Sequence, residues 1–268
     1  MKAITKRLLA AAVLLLVTAC ETTQTTQPGV VGVDRKQHFL LSADDVNKAS
    51  SLAYQDVVKQ AASKNALDRD PAQVARVRGI AQRLAAASGA LRADAPQWAW
   101  EYHVIDSSEV NAWCMPGGKI AVYTGLLAQI KPTDDELAAV LGHEIAHALR
   151  EHGRERASEA AVQQGLLSAG GALLGIGDAG LQLANIVANV TFGLPHSRSQ
   201  EVEADRIGVE LAARAGFDPR AAVTLWQKMA KAGGAGPPQF LSTHPSPENR
   251  IADLQNYSAK VMPLYQKR

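Results

Sequence analysis

The chain has only two cysteines in 268 residues, Cys20 and Cys114. A disulfide framework is excluded, and if Cys20 is engaged elsewhere Cys114 has no internal partner, so no structural disulfide is expected. An excess of charge of one sign is also missing. The formal net charge is +2; residues 1–20 carry three of the 28 Lys and Arg and none of the 26 acids, so the remainder holds 25 bases against 26 acids. That balance gives no field to steer nucleic acid, and no nucleic-acid partner is expected. A membrane-spanning run is lacking too. The apolar stretch 8–17 is too short to cross a bilayer comfortably. The longer stretch 165–194 is broken by Gly170, Gly171, Gly175, Gly177 and Gly180 and dotted with Asp178, Gln182, Asn185 and Asn189. It is expected to fold as an apolar helical hairpin near the cleft described below. No internal repeat is present, and one domain with a sizeable core is the simplest organisation for this length.

What the chain does have begins at its start. Lys2, Lys6 and Arg7 precede the apolar stretch, and small residues lead into Cys20, the three-part layout of an export signal. The segment "VTAC" resembles a bacterial lipobox, which implies a lipoprotein signal peptide over 1–19 and a lipid anchor on Cys20. Glu21 follows that cysteine in place of the aspartate associated with inner-membrane retention, pointing to the periplasmic side of the bacterial outer membrane. Residues 20–41, with "ETTQTTQPGVVGVDRKQ", are polar and punctuated by Gly and Pro. They read as the lipidated cysteine and a flexible tether. The folded domain is expected over 42–268.

Within it, Ser42 and Asp70 are placed to cap amphipathic helices, the second with Pro71 at its first position. "WAWEYHVID" and "GGKIAVYTG" are β-favouring runs and read as two short strands. In "PTDDELAAVLGHEIAHALREHG", Thr133 and Glu136 form a capping box, and Gly153 is the expected stop. The fold class is therefore α+β and mostly α-helical.

On that last helix Val140, His143, His147 and Glu151 share a stripe. Two imidazoles four apart can reach one point, with Glu144 leaning toward it from one residue around. A zinc hydrolase needs this arrangement: neutral nitrogens hold the metal while a carboxylate takes a proton from water. A third ligand should come from another element. In "HSRSQEVEADRIGVELAARAG", Glu201 can complete the protein ligands of one Zn2+ per chain, and Asp205, four residues on, can accept the N–H of a ligand histidine, His143. Glu203 lies about 200° around the helical wheel and is the poorer ligand. His152 reads as a helix-end charge suited to the dipole. His38, His103 and His196 read as structural.

"HEIAH" followed by "SRSQEVEADRIG" resembles the gluzincin metallopeptidases of the HtpX, Oma and CAAX-prenyl-protease type, metallopeptidase family forty-eight, and most closely its periplasmic lipoprotein members. The resemblance runs over about 43–254 and includes "NAWCMPGGKIAVYTGLL" and the late "THPSPENRI". Trp113, Cys114 and Met115 stand where Phe, Ala and Leu are usual. The resemblance implies a gluzincin-like domain whose small sheet has an edge strand beside the active helix. It also implies an endopeptidase that cleaves unfolded or misassembled envelope proteins, with Glu144 as catalytic base and an outer-membrane assembly partner. It places the substrate-binding edge on "GGKIAVY", with Gly118, Ile120 and Val122, and puts Asn111 within reach of substrate. His244 is implied either as an oxyanion donor or as a reversible fourth zinc ligand that closes the site, and Arg250 as a residue that orients its loop. A chaperone-like binding factor with latent proteolysis is the other class of function open to such a chain.

Overall fold

The computed structural model describes residues 21–163, 176–232, 238–246 and 248–266. The expected signal peptide 1–19, the anchor Cys20, the first part of the 165–194 stretch and Pro247 lie outside the described residues. The described residues open with β1 (Glu21–Thr23) and β2 (Gln37–Phe39), followed by α1 (Ala43–Ser63) and α2 (Pro71–Ala87). Next come β3 (Glu101–Ile105), β4 (Ala112–Met115), β5 (Lys119–Tyr123) and the short α3 (Thr124–Ile130). The second half is helical: α4 (Asp134–Leu149), α5 (His152–Gln163), α6 (Ile176–Phe192), α7 (Arg198–Arg214), α8 (Ala221–Lys231), α9 (Gln239–Thr243) and α10 (Arg250–Gln266). The mostly helical α+β class follows from these elements.

Helix starts form where the sequence placed caps. Ser42 accepts the N–H of Asp45 at 3.1 Å. Asp70 accepts the N–H groups of Ala72 and Gln73 at 2.9 and 3.2 Å, ahead of Pro71. Thr133 accepts from Glu136 at 3.2 Å while the Glu136 carboxylate accepts the Thr133 N–H at 2.8 Å, both halves of the capping box. The stop of α4 is not Gly153, which lies inside α5. The chain turns at Glu151, whose φ is 51°. That left-handed conformation costs a non-glycine residue about 1–2 kcal/mol. It is held by salt bridges from Arg92 at 2.6 Å and Arg154 at 2.8 Å.

Among the described residues β1 and β2 pair antiparallel in a small sheet of their own, and a second sheet has three strands in the order β3-β5-β4. β5 runs parallel to β3, with Glu101 opposite Lys119, and antiparallel to β4, with Cys114 opposite Ile120. The segment "GGKIAVY" is thus the central strand, and the expectation that it forms the substrate edge is corrected: the strand with an open edge toward α4 is β4. Gly117 and Gly118, both at φ 80°, make the hairpin that folds β5 inside. Ile120 and Val122 are fully buried there, and Trp100 covers Gly118.

A second correction concerns the tether. Residues 24–41 lie against the domain, burying Val31, Val33 and Phe39. The Gln37 amide donates to the carbonyl of Arg150 at 2.6 Å, and the Val31 N–H to Glu210 at 3.0 Å. Their apolar residues are too few to fold alone, but they dock on a surface that α4, α5 and α7 have already made.

The core gathers around α4, which packs against α7, α2, α8 and β4; α10 lies across α7 and α8, and α6 packs on α1 and α5. α4 and α7 approach closely where two glycines meet: a Cβ on Gly142 would stand 2.9 Å from the Gly208 carbonyl oxygen, and one on Gly208 2.8 Å from the His143 nitrogen. Among the described residues no helix is long and apolar enough to cross a membrane.

Candidate metal centre

The glycine crossing sets the site. His143 follows Gly142 directly, and Asp205 and Glu201 stand one and two turns before Gly208 on the same helix. The Nε2 atoms of His143 and His147 are 3.1 Å apart. The Glu201 carboxylate lies 3.5 Å from the first and 3.4 Å from the second. His244, at the end of α9, brings its Nδ1 to 3.0 Å from Glu201 and 3.3 Å from His143 Nε2. One donor atom from each of these four buried residues lies within 4.8 Å of all the others, so the set can hold one metal ion. Imidazole nitrogens with one carboxylate oxygen are the donor chemistry that suits zinc. The neighbouring Glu144 fits as well: its Oε1 is buried without a hydrogen-bond partner, and His244 Nε2 is 3.5 Å away.

Electrostatics separate the members of this cluster. Burial works against the Glu201 carboxylate, yet His244 and His143 hold it ionised, well below the usual range. Burial also opposes charge on His143, but Glu201 and Asp205 push its pKa up to about 9. Burial drives His147 well below its ordinary value, and raises that of Glu144.

A second layer fixes the first. Asp205 accepts from His143 Nδ1 at 3.0 Å, the pairing expected from the spacing of α7. Arg250, only 2% exposed, donates to Glu201 and to Asp205, each at 2.6 Å, and its guanidinium stacks 3.6 Å over the Trp226 ring. It grips the carboxylates themselves, a closer engagement than orienting a loop. Trp226 in turn stands edge-on to His143 at 5.6 Å.

Two histidines that read as peripheral, His152 and His196, stand against the cluster. His152, read as a helix-end charge, is the first residue of α5, where the dipole disfavours a cation. Its Nδ1 meets His147 Nδ1 at 2.8 Å and its Nε2 meets Glu203 at 3.1 Å. His196 lies 4.0 Å from His147 and stacks on His244 at 4.9 Å between ring centroids. Glu203 points away from the cluster, as its wheel position requires, and lies behind His147. On a continuous helix His152 would point about 140° away from His147; the left-handed turn at Glu151 returns it, and nothing local in the sequence announces that turn.

Asn111, Trp113 and Cys114 line a narrow cavity with Glu144, His147, His196, His244 and Val190 of α6. At about 30 Å³ it has room for water and not for a peptide. The carbonyl of Asn111 faces β5, accepting from Tyr123 at 3.0 Å, so strand alternation turns the backbone groups of Ala112 and Cys114 outward. Both outward N–H groups are engaged: Asn111 Oδ1 accepts that of Ala112 at 2.9 Å, and Glu144 accepts that of Cys114. Gly118, Ile120 and Val122 do not line the cavity. Cys114 is a free, buried thiol.

Two histidines and a glutamate converging from crossed helices, with the Oε1 of a second glutamate left without a hydrogen bond beside them and the edge strand β4 alongside, define the site of a metallopeptidase. The chain belongs to Peptidase family M48, whose model matches residues 71–258. It is 34% identical over 226 residues to the mitochondrial metalloendopeptidase OMA1 of Schizosaccharomyces pombe, covering 84% of this chain and 64% of that one. With the OMA1 of Arabidopsis thaliana it shares 42% identity over 151 residues, 56% of this chain and 30% of the relative. The beta-barrel assembly-enhancing protease of Escherichia coli K12 is 29% identical over 217 residues, 77% and 43% of the two chains. The chain thus spans less than two thirds of the length of each of these relatives.

Proposed function

We propose that the chain is a zinc-dependent metalloendopeptidase of the bacterial cell envelope that cleaves unfolded or misassembled proteins. The observation that carries this reading is the unpartnered Glu144 oxygen beside the His143, His147 and Glu201 cluster. Zinc held by those three residues supplies Lewis acidity toward water and the scissile carbonyl. Glu144, its basicity raised by burial, takes the proton from the attacking water and delivers it to the leaving amine. Asp205 and Arg250 keep His143 and Glu201 in place throughout. The substrate strand adds to β4, where Ala112 and Cys114 face outward; Asn111 and Glu144 release those N–H groups to it. His244, within the donor set in a cavity of water size, closes the site and swings out when substrate enters.

The envelope setting rests on the lipobox-like "VTAC" that ends in Cys20 and is supported by the name of the E. coli relative; the two OMA1 relatives are mitochondrial by name. In this reading Cys20 anchors the mature chain to the periplasmic side of the outer membrane, near an assembly partner that supplies substrates. Glu144→Gln is the test. It removes the proton acceptor alone, so the variant is expected to retain zinc by elemental analysis and to lose casein cleavage. Full activity in the metal-loaded variant overturns the mechanism.

A further inference from the structure

Residues 24–41 begin four positions after the proposed anchor and lie outside the matched family region, yet they contact the back of the metal centre. We propose that this segment positions a metal ligand: Arg35 holds Glu203, Glu203 holds His152, and His152 fixes the ring of His147. The inference rests on the reading of His147 as a zinc ligand.

The geometry forms one continuous line. The Arg35 guanidinium is hydrogen-bonded to Glu203 through Nε and to Glu155 at 2.7 and 3.0 Å. Arg150 adds a second donor to Glu203 at 2.9 Å, and its other nitrogen donates to the Arg35 carbonyl at 2.8 Å. Glu203 Oε2 is 3.1 Å from His152 Nε2, and His152 Nδ1 is 2.8 Å from His147 Nδ1. The remaining ring nitrogen of His147, Nε2, is the one that faces His143 and Glu201.

The protons on this line have one consistent arrangement. A ligand nitrogen must present a lone pair, so His147 Nε2 is bare and its proton is on Nδ1. Nδ1–H then donates to His152 Nδ1, which leaves the His152 proton on Nε2. That proton is donated to Glu203, a carboxylate anchored by two arginines. Every donor meets an acceptor from Arg35 to the ligand. His143 is served directly by Asp205, whereas His147 is served through an interposed imidazole whose carboxylate depends on a residue of the N-terminal segment. Two rings linked in series through their Nδ1 atoms and inclined at 69° leave more freedom than one, so the fixing of Glu203 by Arg35 and Arg150 matters to where His147 points.

The test is zinc affinity, measured by chelator competition on the mature chain from residue 20 with Arg35→Ala and with His152→Ala, beside the melting temperature of each variant without metal. Loss of an outer partner of a ligand histidine lowers metal affinity by about 10–100-fold. His152→Ala is expected in that range and Arg35→Ala at its lower end, each with a fall in affinity larger than the loss of metal-free stability that goes with its broken hydrogen bonds. Cobalt substitution gives a second readout: the visible absorption of the bound ion should shift in both variants because the His147 ring has turned. Wild-type affinity and an unshifted spectrum in two folded variants overturn the proposal. So does a fall in affinity matched by an equal fall in metal-free stability, which assigns the effect to folding. Should the wild-type chain bind no zinc, the metallopeptidase reading fails and takes this inference with it; zinc bound by wild type and both variants alike defeats this inference alone.

Discussion

His244 is pulled in two directions by its neighbours. Its Nδ1 lies against Glu201 at 3.0 Å and its Nε2 near Glu144 at 3.5 Å, so one ring lies between the proposed ligand carboxylate and the proposed base. A ring in that position occupies the place substrate and water need. His244→Ala is therefore expected to raise the rate of peptide cleavage at matched zinc content. An oxyanion donor would behave oppositely, its loss lowering kcat by about 10²–10³, and a fall of that size would reverse the assignment. The residues around it differ in how far the sequence announced them. His143, His147, Glu201 and Asp205 are joined by the four-residue spacing of a helix, a local relation that survives in any fold. Arg250 was visible only as a residue near His244, because its partners are 45 and 49 residues away. His152 was hidden by a backbone reversal.

At the scale of elements, the crossing of α4 and α7 has the least tolerance. Neither glycine admits a methyl group without moving the other helix's backbone. Gly208→Ala is expected to destabilise the chain by about 1–3 kcal/mol, as overpacking does, and to weaken zinc binding as well. The added methyl group pushes Glu201 and Asp205 away from His143, and calorimetric unfolding with a zinc titration measures both effects. A variant with lowered stability and unchanged affinity would show that the ligands do not depend on this approach. Helix starts were legible because a cap is a contact within three residues, as at Ser42, Asp70 and Thr133. Sheet order was not. The strand 119–123 looks the same in sequence whether it lies at an edge or in the middle, and its central place depends on β4 folding back over Gly117 and Gly118 while β3 arrives from the other side.

For the whole molecule, the docking of residues 24–41 links stability to pH. Burial raises the Glu155 pKa, but hydrogen bonds from Arg35 and Gln200 outweigh it and hold the carboxyl below its ordinary value. A folded pKa below the unfolded one, about 4.3 for glutamate, stabilises the native state above that pH. The contribution is lost as pH falls through the lowered native value. Urea midpoints should therefore drop between about pH 5 and pH 3, and the drop should be shallower in Arg35→Ala. An equal slope in both proteins would show that this ion pair does not couple the segment to the domain. The segment read as a tether because its apolar residues are sparse, a correct account of its composition. What composition cannot express is the surface of α4, α5 and α7 that receives it.

Trp226 gives the centre an optical signal of its own. Its indole stands edge-on to His143 and lies beneath the guanidinium of Arg250. A protonated imidazole beside an indole quenches its emission, and a metal held at His143 Nε2 would stand where that nitrogen's proton is. Only four tryptophans are present, and Trp113 also lines the cleft. Metal loading is therefore expected to change the intrinsic fluorescence of the unlabelled chain.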